Sequence, residues 1–400
     1  MRRIPKRSRV TVVALAAVTA TLALVASGCG GGGGGGGGST SSGAGTTTTI
    51  GKGEGSLNVV EWPYYTYKSF AHPFEQQTGC IIHRKDAGTS QEMFALMHAN
   101  GGGGGGQYDL VSASGDASLR LIDAGDVQPI DINQIPSWKE FLPVFKSPPH
   151  NTVDGKHYGV SVQWGPNTLL YNTQKVKPAP TGWSAIYGPQ YKGKLTVPNN
   201  PIQIADAALY LMQTKPSLGI KDPYELTKSQ LTAATQLLIN QKPQLKRYWN
   251  YAADEITSFK NGDVWMGAGW PYQTLQLQGD KQPVKEVVPL PTTGWADTWM
   301  LAAKAPHPNC AYKWMQYVTT PKVEAQQAIV FGETPVNPLA CPYMDKIQKG
   351  SCAAYHLNEP ASYYNKIKFW KTPVPQCGWQ KSNDCMDYNA WVQAWAQVTG

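Results

Sequence analysis

The alternation of apolar and polar positions divides the chain into three parts. Positions 10–26 form an apolar segment without a charged residue, and positions 30–55 are rich in Gly, Ser and Thr and offer almost nothing to bury. From position 56 onward, short apolar runs alternate with stretches in which apolar residues recur every three or four positions. Alternating strands and helices of this kind are typical of a parallel α/β sheet.

The first third of the globular part shows this pattern most clearly. The runs SLNVVEW, CIIHR and YDLVSAS predict strands, and the stretches YKSFAHPFEQQTG, MFALMHAN and DASLRLIDAG predict helices. Thr89 and Glu92 have the spacing of a capping box at the start of the second helix. The run Gly101–Gly106 interrupts this unit, and its low complexity and lack of charge favour a surface insertion over a ligand-binding loop.

Two extended segments in the middle of the chain are too long for one sheet. HYGVSVQWGPNTLLYN and VVPLPTTGWADTWMLAAK flank the predicted strands KGKLTVP and DVWMGAGW and three predicted helices. Each long segment predicts a strand that leaves one lobe and enters the other. We therefore assign residues 56–160 together with 296–400 to lobe 1 and residues 161–295 to lobe 2. The cleft between two such lobes is the natural ligand site.

The N-terminus reads as an export signal. Five basic residues precede the apolar segment, which is shorter than the ~20 residues of a membrane-spanning helix. The sequence VASGC, which ends at Cys29, resembles the lipobox of bacterial lipoproteins. Residues 1–28 are then a signal peptide, Cys29 carries the lipid, and residues 29–55 tether the protein to the outer face of the cell membrane. A single transmembrane anchor is the alternative.

The charge balance changes when the signal is removed. The full chain carries a net charge of +8, and loss of the five basic residues leaves about +3. No Lys/Arg-rich run remains, so we expect no nucleic-acid partner.

The cysteines agree with export. Six remain after Cys29, and an even number in an exported chain suggests disulfides. From their spacing we expect the pairs Cys341 with Cys352, Cys377 with Cys385, and Cys80 with Cys310. A zinc site is the alternative, but the chain has no Cys-x-x-Cys pair and its histidines are scattered, so we expect no metal.

The segment TGWADTW places the carboxylate of Asp297 between two tryptophans in an apolar strand. An unpaired buried carboxylate is costly, and the next basic residue in the sequence is Lys304. Carboxylates bind ammonium groups, and aromatic faces attract cations and cover methylene groups. The cation that compensates Asp297 is therefore expected to come from outside the protein.

Several motifs together resemble one known family. The motifs YKGK, FKNGDV and WADTWMLAAKAPHPNCAYKWMQYV, with the double crossing, resemble the spermidine/putrescine-binding family of ABC-transporter solute-binding proteins. The resemblance covers residues 56 to about 339, and the cysteine-bearing tail extends beyond it. It implies the two-lobed fold of type II periplasmic binding proteins. By position it implies ligand contacts from Trp62, Tyr65, Trp270 and Asp297.

The chain departs from the family at four of the expected contact positions. Asn200 and Gln203 stand where the family has acidic residues, whereas Asp116 and Glu333 stand where it commonly has tyrosines. We include all four, with Ser114 and Trp295, in the expected ligand-binding set. Structural alternatives remain: Asp116 is a good N-cap, Glu333 is a solvated turn residue, and Trp62 and Trp270 are core aromatics.

The expected function is the extracytoplasmic substrate-binding component of an ABC importer. It closes on putrescine or spermidine as a monomer, without catalysis or a cofactor, and delivers the ligand to a permease served by an ATPase. Betaine, thiamine or Fe(III) on the same fold are alternatives. Fe(III) would need adjacent tyrosines, and the sequence has two such pairs, Tyr64 with Tyr65 and Tyr363 with Tyr364. The second pair lies in ASYYNKIKFW, which has the periodicity of an ordinary helix. A secreted hydrolase is the least favoured, because Gly-x-Ser-x-Gly and His-Glu-x-x-His are absent from the sequence.

The lipobox resemblance generates the first prediction. Cys29→Ala removes the thiol that would be acylated, so the protein should be released into the medium or remain uncleaved. Fractionation of cells and mass spectrometry of the N-terminus measure this. A Cys29→Ala chain that is processed normally and stays on the membrane would contradict lipidation.

Overall fold

The computed structural model describes residues 49–378 and 382–400. The expected signal peptide, the expected lipidation at Cys29 and most of the expected tether lie outside the described residues. Strands β1–β14 span Ser56–Glu61, Ile81–Asp86, Leu110–Ser114, Thr152–Val153, Lys156–His157, Val160–Pro166, Thr168–Asn172, Leu195–Pro198, Leu245–Trp249, Met266–Gly269, Val284–Val287, Thr292–Leu301, Thr334–Pro335 and Ile367–Phe369. Helices α1–α14 span Lys68–Thr78, Ser90–His98, Gly115–Asp123, Ser184–Tyr187, Gln203–Thr214, Lys228–Gln241, Ala252–Lys260, Pro271–Gly279, Pro308–Val318, Pro321–Phe331, Cys341–Ile347, Ser351–Ala354, Ala361–Tyr364 and Tyr388–Thr399.

The larger sheet has the strand order β13, β6, β12, β3, β1, β2, and β14 pairs with the first residues of β12. β1 runs parallel to β2 and β3, as the alternation of strands and helices predicts, whereas β12 is antiparallel to β3 and β6. Side chains alternate between the two faces. Val59 and Trp299 pack in a core with residues of α1, α9 and α10, whereas Val60 and Met300 pack with residues of α2 and α3. All of β12 is buried, because it has neighbours on both edges and both faces.

The smaller sheet has the strand order β11, β7, β10, β8, β9. β8 is parallel to β9 and β10, whereas β7 is antiparallel to β10 and β11. β9 was not predicted from the sequence. Its residues LKRYW are mostly exposed or half-buried at the edge of the sheet, so they lack the apolar run that marks a central strand. The two sheets form the two lobes of the fold.

Both predicted crossings are present. β6 belongs to the larger sheet and β7 to the smaller one, with only Asn167 between them, and β11 and β12 make the return crossing. A third segment, residues 370–376, crosses as well and leads from β14 to α14. Lys371 in this segment forms ion pairs with the smaller lobe: its Nζ lies 2.5 Å from Glu225 Oε1 and 3.3 Å from Asp222 Oδ2.

The helix α14 corrects the lobe assignment made from the sequence. Trp391 and Trp395 of this helix pack with Leu231 and Ala234 of α6, in the smaller lobe. The assignment of 296–400 as a whole to lobe 1 is therefore wrong for the last helix, because its apolar face completes the core around α6. The other lobe boundaries stay a prediction.

The glycine run is a turn that is exposed at its ends and packed in its middle. All residues of Gly101–Gly106 have positive φ, a conformation that only glycine adopts without strain over such a run. Gly101 and Gly106 are exposed, as a surface insertion would be, whereas Gly102, Gly103 and Gly104 are buried, and Gly103 N donates to Asp126 Oδ1 at 2.8 Å. The absence of Cβ atoms lets this middle part pack closely.

Residues that precede the predicted start of the folded part, near Ser56, contact helix α9. Gly51 N donates to Asn309 Oδ1 at 2.6 Å, and the Glu54 carboxylate accepts from Asn309 N and Cys310 N at 2.9 Å each. Glu54 thereby satisfies free N–H groups at the start of α9, where a negative charge is also favoured by the helix dipole. Residues 51–54 therefore belong to the folded part rather than to the tether.

The segment ASYYNKIKFW is not the ordinary helix that its periodicity predicts. Only Ala361–Tyr364 is helical, and Ile367–Phe369 forms β14 on the edge of β12. Tertiary pairing overrides the local pattern here, because β12 offers free hydrogen-bonding groups at its first residues.

The three predicted disulfides are confirmed. Cys80 pairs with Cys310, Cys341 with Cys352, and Cys377 with Cys385, at Cα–Cα distances of 5.7, 5.0 and 5.3 Å. Within residues 49–378 and 382–400, no helix has both the length and the apolar character needed to cross a membrane.

The disulfides differ in the length of chain that they close. Cys80 and Cys310 are 230 residues apart, whereas Cys377 and Cys385 are 8 apart. A longer closed loop restricts the unfolded chain more, so the double variant C80S/C310S should lose about 2–5 kcal/mol of unfolding free energy, and C377S/C385S should lose less. Urea denaturation of both variants measures this. An equal or reversed order would contradict the prediction.

Candidate functional site

A cavity of about 320 Å³ lies between elements of the two lobes. The larger lobe contributes residues that follow β1, end β3, lie in β12 or follow α10. The smaller lobe contributes residues at the starts of α7 and α8. The lining residues are Trp62, Pro63, Tyr64, Tyr65, Gly88, Ser114, Tyr251, Ala252, Ala253, Trp270, Tyr272, Trp295, Asp297, Phe331, Glu333 and Trp370. The carboxyl ends of β1, β3 and β10 meet this cavity. Ligands of α/β sheets commonly bind at such strand ends.

Strand register places Asp297 at the cavity. Asp297 pairs with Ser114 on β3 and with Gln163 on β6, and the register with β6 shifts between Asp297 and Thr298. Such a bulge changes the direction of side chains on a strand. The Ser114 hydroxyl donates to Asp297 Oδ1, so the last residue of β3 holds the carboxylate in place.

A turn after β1 places Tyr65 beside this carboxylate. Tyr65 N donates to Trp62 O at 3.1 Å, and Trp62 N donates to Ser112 Oγ at 3.0 Å. Gln327 Nε2 donates to Tyr65 O at 3.2 Å and joins the turn to α10. The Tyr65 ring therefore approaches the cavity from a turn that is tied to β3 and to α10.

Glu333 reaches the same point from the end of α10. Gly332 adopts the left-handed conformation at φ +70°, and Glu333 N donates to Ala328 O at 3.2 Å, so the helix ends there and the next side chain turns inward. The alternative that Glu333 is a solvated turn residue is wrong, since only 7% of its surface is exposed.

Asp297, Tyr65 and Glu333 form one hydrogen-bonded cluster, which we call the acid cluster. The Tyr65 hydroxyl lies within hydrogen-bonding distance of Asp297 Oδ2 and is 3.0 Å from Glu333 Oε2. Burial, together with the charge of nearby Asp116, raises the pKa of Asp297 to about 7 despite the hydrogen bonds from Ser114 and Tyr65. Burial and the charge of Asp297 raise the pKa of Glu333 well above its ordinary value. The acid cluster therefore holds its protons more tightly than exposed carboxyl groups do.

No basic side chain compensates these carboxyl groups inside the cavity. None of the lining residues in the described part of the chain is Lys, Arg or His. Asp297 is 3% exposed, so solvent does not replace such a partner. Two buried carboxyl groups without a cation are costly, and a cation that enters the cavity would relieve that cost.

Aromatic rings form the walls around the acid cluster. The ring centroid of Trp270 is 6.4 Å from that of Trp295 and 6.2 Å from that of Trp370. Tyr65 and Phe331 are 5.0 Å apart. These walls can cover hydrocarbon and can attract a cation through the faces of the rings. The cavity therefore suits a molecule with an apolar body and positive charge.

The two lobes contact each other beside the cavity. The Tyr251 hydroxyl, in the smaller lobe, donates to Glu92 Oε1 at 2.9 Å in the larger lobe. A Cβ atom at Gly88 would lie 2.4 Å from the Tyr251 ring, so this close approach requires glycine. Glu92 also accepts from Gly88 N at 2.7 Å, so the second half of the predicted capping box forms with Gly88 and not with Thr89.

Most of the residues expected from the sequence come together in the cavity. Seven of them line it, namely Trp62, Tyr65, Ser114, Trp270, Trp295, Asp297 and Glu333. Asp116, Asn200 and Gln203 do not line it. Asp116 Oδ1 accepts from the Ser90 hydroxyl at 2.7 Å, and Asp116 Oδ2 accepts from Asn200 Nδ2 at 3.3 Å. These two residues form a second contact between the lobes.

Asp116 is not the N-cap of helix α3. Helix α3 begins at Gly115 with Ser114 as its N-cap, so Asp116 lies in the first turn of the helix. Its carboxylate is used by Ser90 and Asn200 and does not cap the helix. The N-cap alternative is therefore wrong.

Sequence reasoning missed several lining residues. Tyr64 adjoins the expected Tyr65, and Tyr272 follows the expected Trp270 by two positions, so the spacing of aromatic residues could have indicated them. Tyr251 and Trp370 lie on loops without a motif. Trp370 belongs to the third crossing, in the tail beyond the family pattern, so its position depends on the pairing of β14 with β12.

Comparisons with known proteins agree with this architecture. The profile of bacterial extracellular solute-binding proteins matches residues 69–351. The chain is 25% identical over 285 residues to the putrescine-binding periplasmic protein of Escherichia coli, covering 68% of this chain and 75% of that protein. It is 22% identical over 325 residues to the putrescine/agmatine-binding protein of Pseudomonas aeruginosa, covering 76% of this chain and 84% of that protein.

A solved structure shows the same fold. The spermidine/putrescine ABC transporter substrate-binding protein of Streptococcus pneumoniae superposes with a TM-score of 0.67 at 16% identity, over 86% of this chain and 98% of that one. The two-lobed fold of type II periplasmic binding proteins is therefore confirmed. Because the family profile matches well over half of the chain, the chain belongs to the bacterial extracellular solute-binding protein family.

Proposed function

We propose that this protein is the substrate-binding component of an ABC importer and that it closes on a small organic cation. The observation that carries the proposal is the acid cluster in an aromatic cavity whose described lining has no basic residue. An ammonium group at the cluster would supply the missing positive charge and donate to oxygens of Asp297 and Glu333. The aromatic walls would cover the rest of the ligand.

Putrescine and spermidine are the first ligands to consider. The two curated relatives described above are named as binders of putrescine or of putrescine and agmatine, which supports a cation of this kind. A quaternary or heterocyclic cation such as betaine or thiamine is the second candidate, and the aromatic walls favour it. The protein carries out no chemistry in either case.

Fe(III) has less support. Of the two tyrosine pairs in the sequence, Tyr363 and Tyr364 do not line the cavity. Tyr64 and Tyr65 do line it, but the Tyr65 hydroxyl is hydrogen-bonded to Asp297 and Glu333. Across residues 49–378 and 382–400, no group of three or more His, Cys, Asp or Glu side chains could hold a metal ion.

The proposed partners follow from the role of such proteins. A closed lobe pair presents one surface to a permease, and an ATPase drives transport. Ligand binding would shift the population toward the closed state through contacts such as that of Tyr251 with Glu92. We also propose that the protein acts as a monomer at the outer face of the membrane, held by a lipid at Cys29.

Asp297→Asn tests the proposed function directly. The change keeps the shape of the side chain and removes its charge, so binding of the cognate cation should weaken by about 2–5 kcal/mol, or roughly 30-fold to several-thousand-fold. Stability without ligand should stay the same or rise, because a buried unpaired charge is lost. Calorimetric titration with putrescine, spermidine, betaine and thiamine, beside melting curves, measures both effects.

Glu324→Gln is the matched control. Glu324 is a buried carboxyl of the same lobe that accepts from Asn337 N at 3.0 Å and does not line the cavity. Burial raises its pKa well above the ordinary value, as it does for Glu333. Affinity should be unchanged in Glu324→Gln. Equal loss in both variants, or tight binding by Asp297→Asn, would show that the cavity carboxyl does not recognise a cation.

The raised pKa of Asp297 predicts two pH dependences of opposite sign. The carboxyl group ionises near pH 4 in the unfolded chain and near pH 7 in the folded one. As pH rises from about 4 to 7, the unfolded chain releases this proton more readily than the folded chain, so the free energy of unfolding without ligand falls over that range. Cation binding needs the ionised form, so affinity should fall as pH drops below about 7, by up to about tenfold per pH unit for one linked proton.

The measurements are titrations from pH 5 to 8 and melting curves from pH 4 to 8. The Tm of Asp297→Asn minus that of the wild type should increase with pH, because only the wild type must ionise a buried acid. Glu333 and Asp116 titrate nearby, and the subtraction limits their contribution. A difference in Tm that does not change between pH 4 and 7 would contradict the raised pKa.

A further inference from the structure

The negative charge of the cavity is confined to one place. Asp297 and Glu333 are the charged residues among the lining residues that the structure describes, and both contact the same Tyr65 hydroxyl. A single ammonium group beside Tyr65 is therefore within reach of both carboxyl groups. We propose that the cleft selects a ligand with one ammonium group on an uncharged, largely apolar body, in preference to a diamine. This proposal rests on the proposed function, the binding of a small organic cation in this cavity, and it ranks monoamines ahead of putrescine and spermidine as ligands.

The wall from the other lobe carries no compensating charge for a second ammonium group. Its lining residues are Tyr251, Ala252, Ala253, Trp270 and Tyr272, which are aromatic or aliphatic. Two acids lie near this wall, but neither lines the cavity. Glu92 of the larger lobe accepts from the Tyr251 hydroxyl and from Gly88 N. Glu255 of α7 is fully buried against β10.

The acidic residues that could have served a second ammonium group are absent or turned away. Asn200 and Gln203 stand where the family that the sequence resembles has acids, and neither lines the cavity. Asn200 donates to Asp116, whose carboxylate is also bound by Ser90. Asp116 is thus used in a contact between the lobes and does not face a ligand.

The energetics of a second ammonium group follow from this arrangement. A buried cation without a carboxylate loses its hydration, which is costly. An aromatic face returns only part of this cost. The stem of a diamine holds its two ammonium groups apart, so one acid cluster cannot neutralise both. A monoamine of the same length places a methyl group against the aromatic wall instead, which is favourable.

The number of protons that the acid cluster retains fits the binding of a single positive charge. Tyr65 has one hydroxyl proton for two carboxyl groups, and two carboxylates this close without a cation cannot both be ionised at low cost. One retained proton leaves a single negative charge. The cluster also offers hydrogen-bond acceptors, so an ammonium group with N–H donors suits it better than a quaternary one.

Pairs of ligands that differ only in the second amine test the proposal. Calorimetric titration and thermal shifts compare butylamine with putrescine and pentylamine with cadaverine, with 2-phenylethylamine as a probe of the aromatic walls. Each monoamine should bind at least tenfold more tightly than its diamine. Diamines that bind as tightly as monoamines, or more tightly, would overturn the selectivity while leaving the proposed function intact. If no amine and no other organic cation binds, the proposed function itself fails, and the selectivity with it.

A designed variant tests the same point from the protein side. Ala252→Glu adds a carboxylate on the far wall, at the first turn of α7, where a negative charge is compatible with the helix dipole. It should raise the affinity for putrescine relative to butylamine at least tenfold. Ala252→Gln, of the same size without the charge, should leave the ratio unchanged. Melting curves confirm that both variants fold, and an unchanged ratio in Ala252→Glu would contradict the proposal.

Discussion

The Tyr65 hydroxyl between two buried carboxyl groups is the interaction on which the site depends. Asp297 comes from β12, Glu333 from the end of α10 and Tyr65 from the turn after β1, so one hydroxyl joins three separate elements of the larger lobe. The fold brings two groups of like charge together in an apolar place, which disfavours ionisation of both. A protein that only needed stability would gain by replacing such groups with apolar ones. The proposed cationic ligand would bring the opposite charge and so account for their presence.

The surrounding architecture holds this cluster in the middle of the larger sheet. β12 lies between β6 on one edge and β3 and β14 on the other, so Asp297 cannot move without disturbing the middle of the larger sheet. The smaller lobe is connected through three chain segments and touches the larger lobe beside the cavity through Tyr251 and Asn200. The acids of the cavity lie in the larger lobe, and the smaller lobe contributes aromatic and aliphatic residues. If the lobes closed on a cation, the smaller lobe would therefore exclude water from the ligand and would add no new charge partner.

Local patterns in the sequence were sufficient for most of the fold. The alternation of strands and helices predicted the parallel part of the larger sheet, and the two long extended segments predicted the crossings, because both features depend on runs of neighbouring residues. Tertiary contacts decided the features that were missed. β14 forms because β12 has a free edge at Thr292–Gly294, and α14 packs on the smaller lobe because α6 presents an apolar face. Neither partner can be recognised from the residues of the element itself.

The same distinction holds within the site. Asp297 could be singled out because two tryptophans flank it in sequence, whereas Trp62 and Trp270 were expected only through the resemblance to the spermidine/putrescine-binding family. The contacts of Asp116 could not be predicted, since its sequence position gives no sign that Ser90 and Asn200 would bind its carboxylate. Trp370 was missed because its position depends on the third crossing. Residues whose role is set by a neighbour distant in sequence cannot be recognised from local pattern.

Burial alone does not mark a ligand-binding acid in this protein. Burial also raises the pKa of Glu61 to about 8 and raises those of Glu255 and Glu324 well above the ordinary range, yet none of these three lines the cavity. Glu61 accepts from Thr66 N and from the Thr66 hydroxyl at 3.2 and 2.9 Å, and so holds the turn that carries Tyr65. What distinguishes Asp297 and Glu333 is that they share one hydroxyl and open onto a space with aromatic walls. A second charge can reach them only from that space, and this makes them the acids that an entering cation would neutralise.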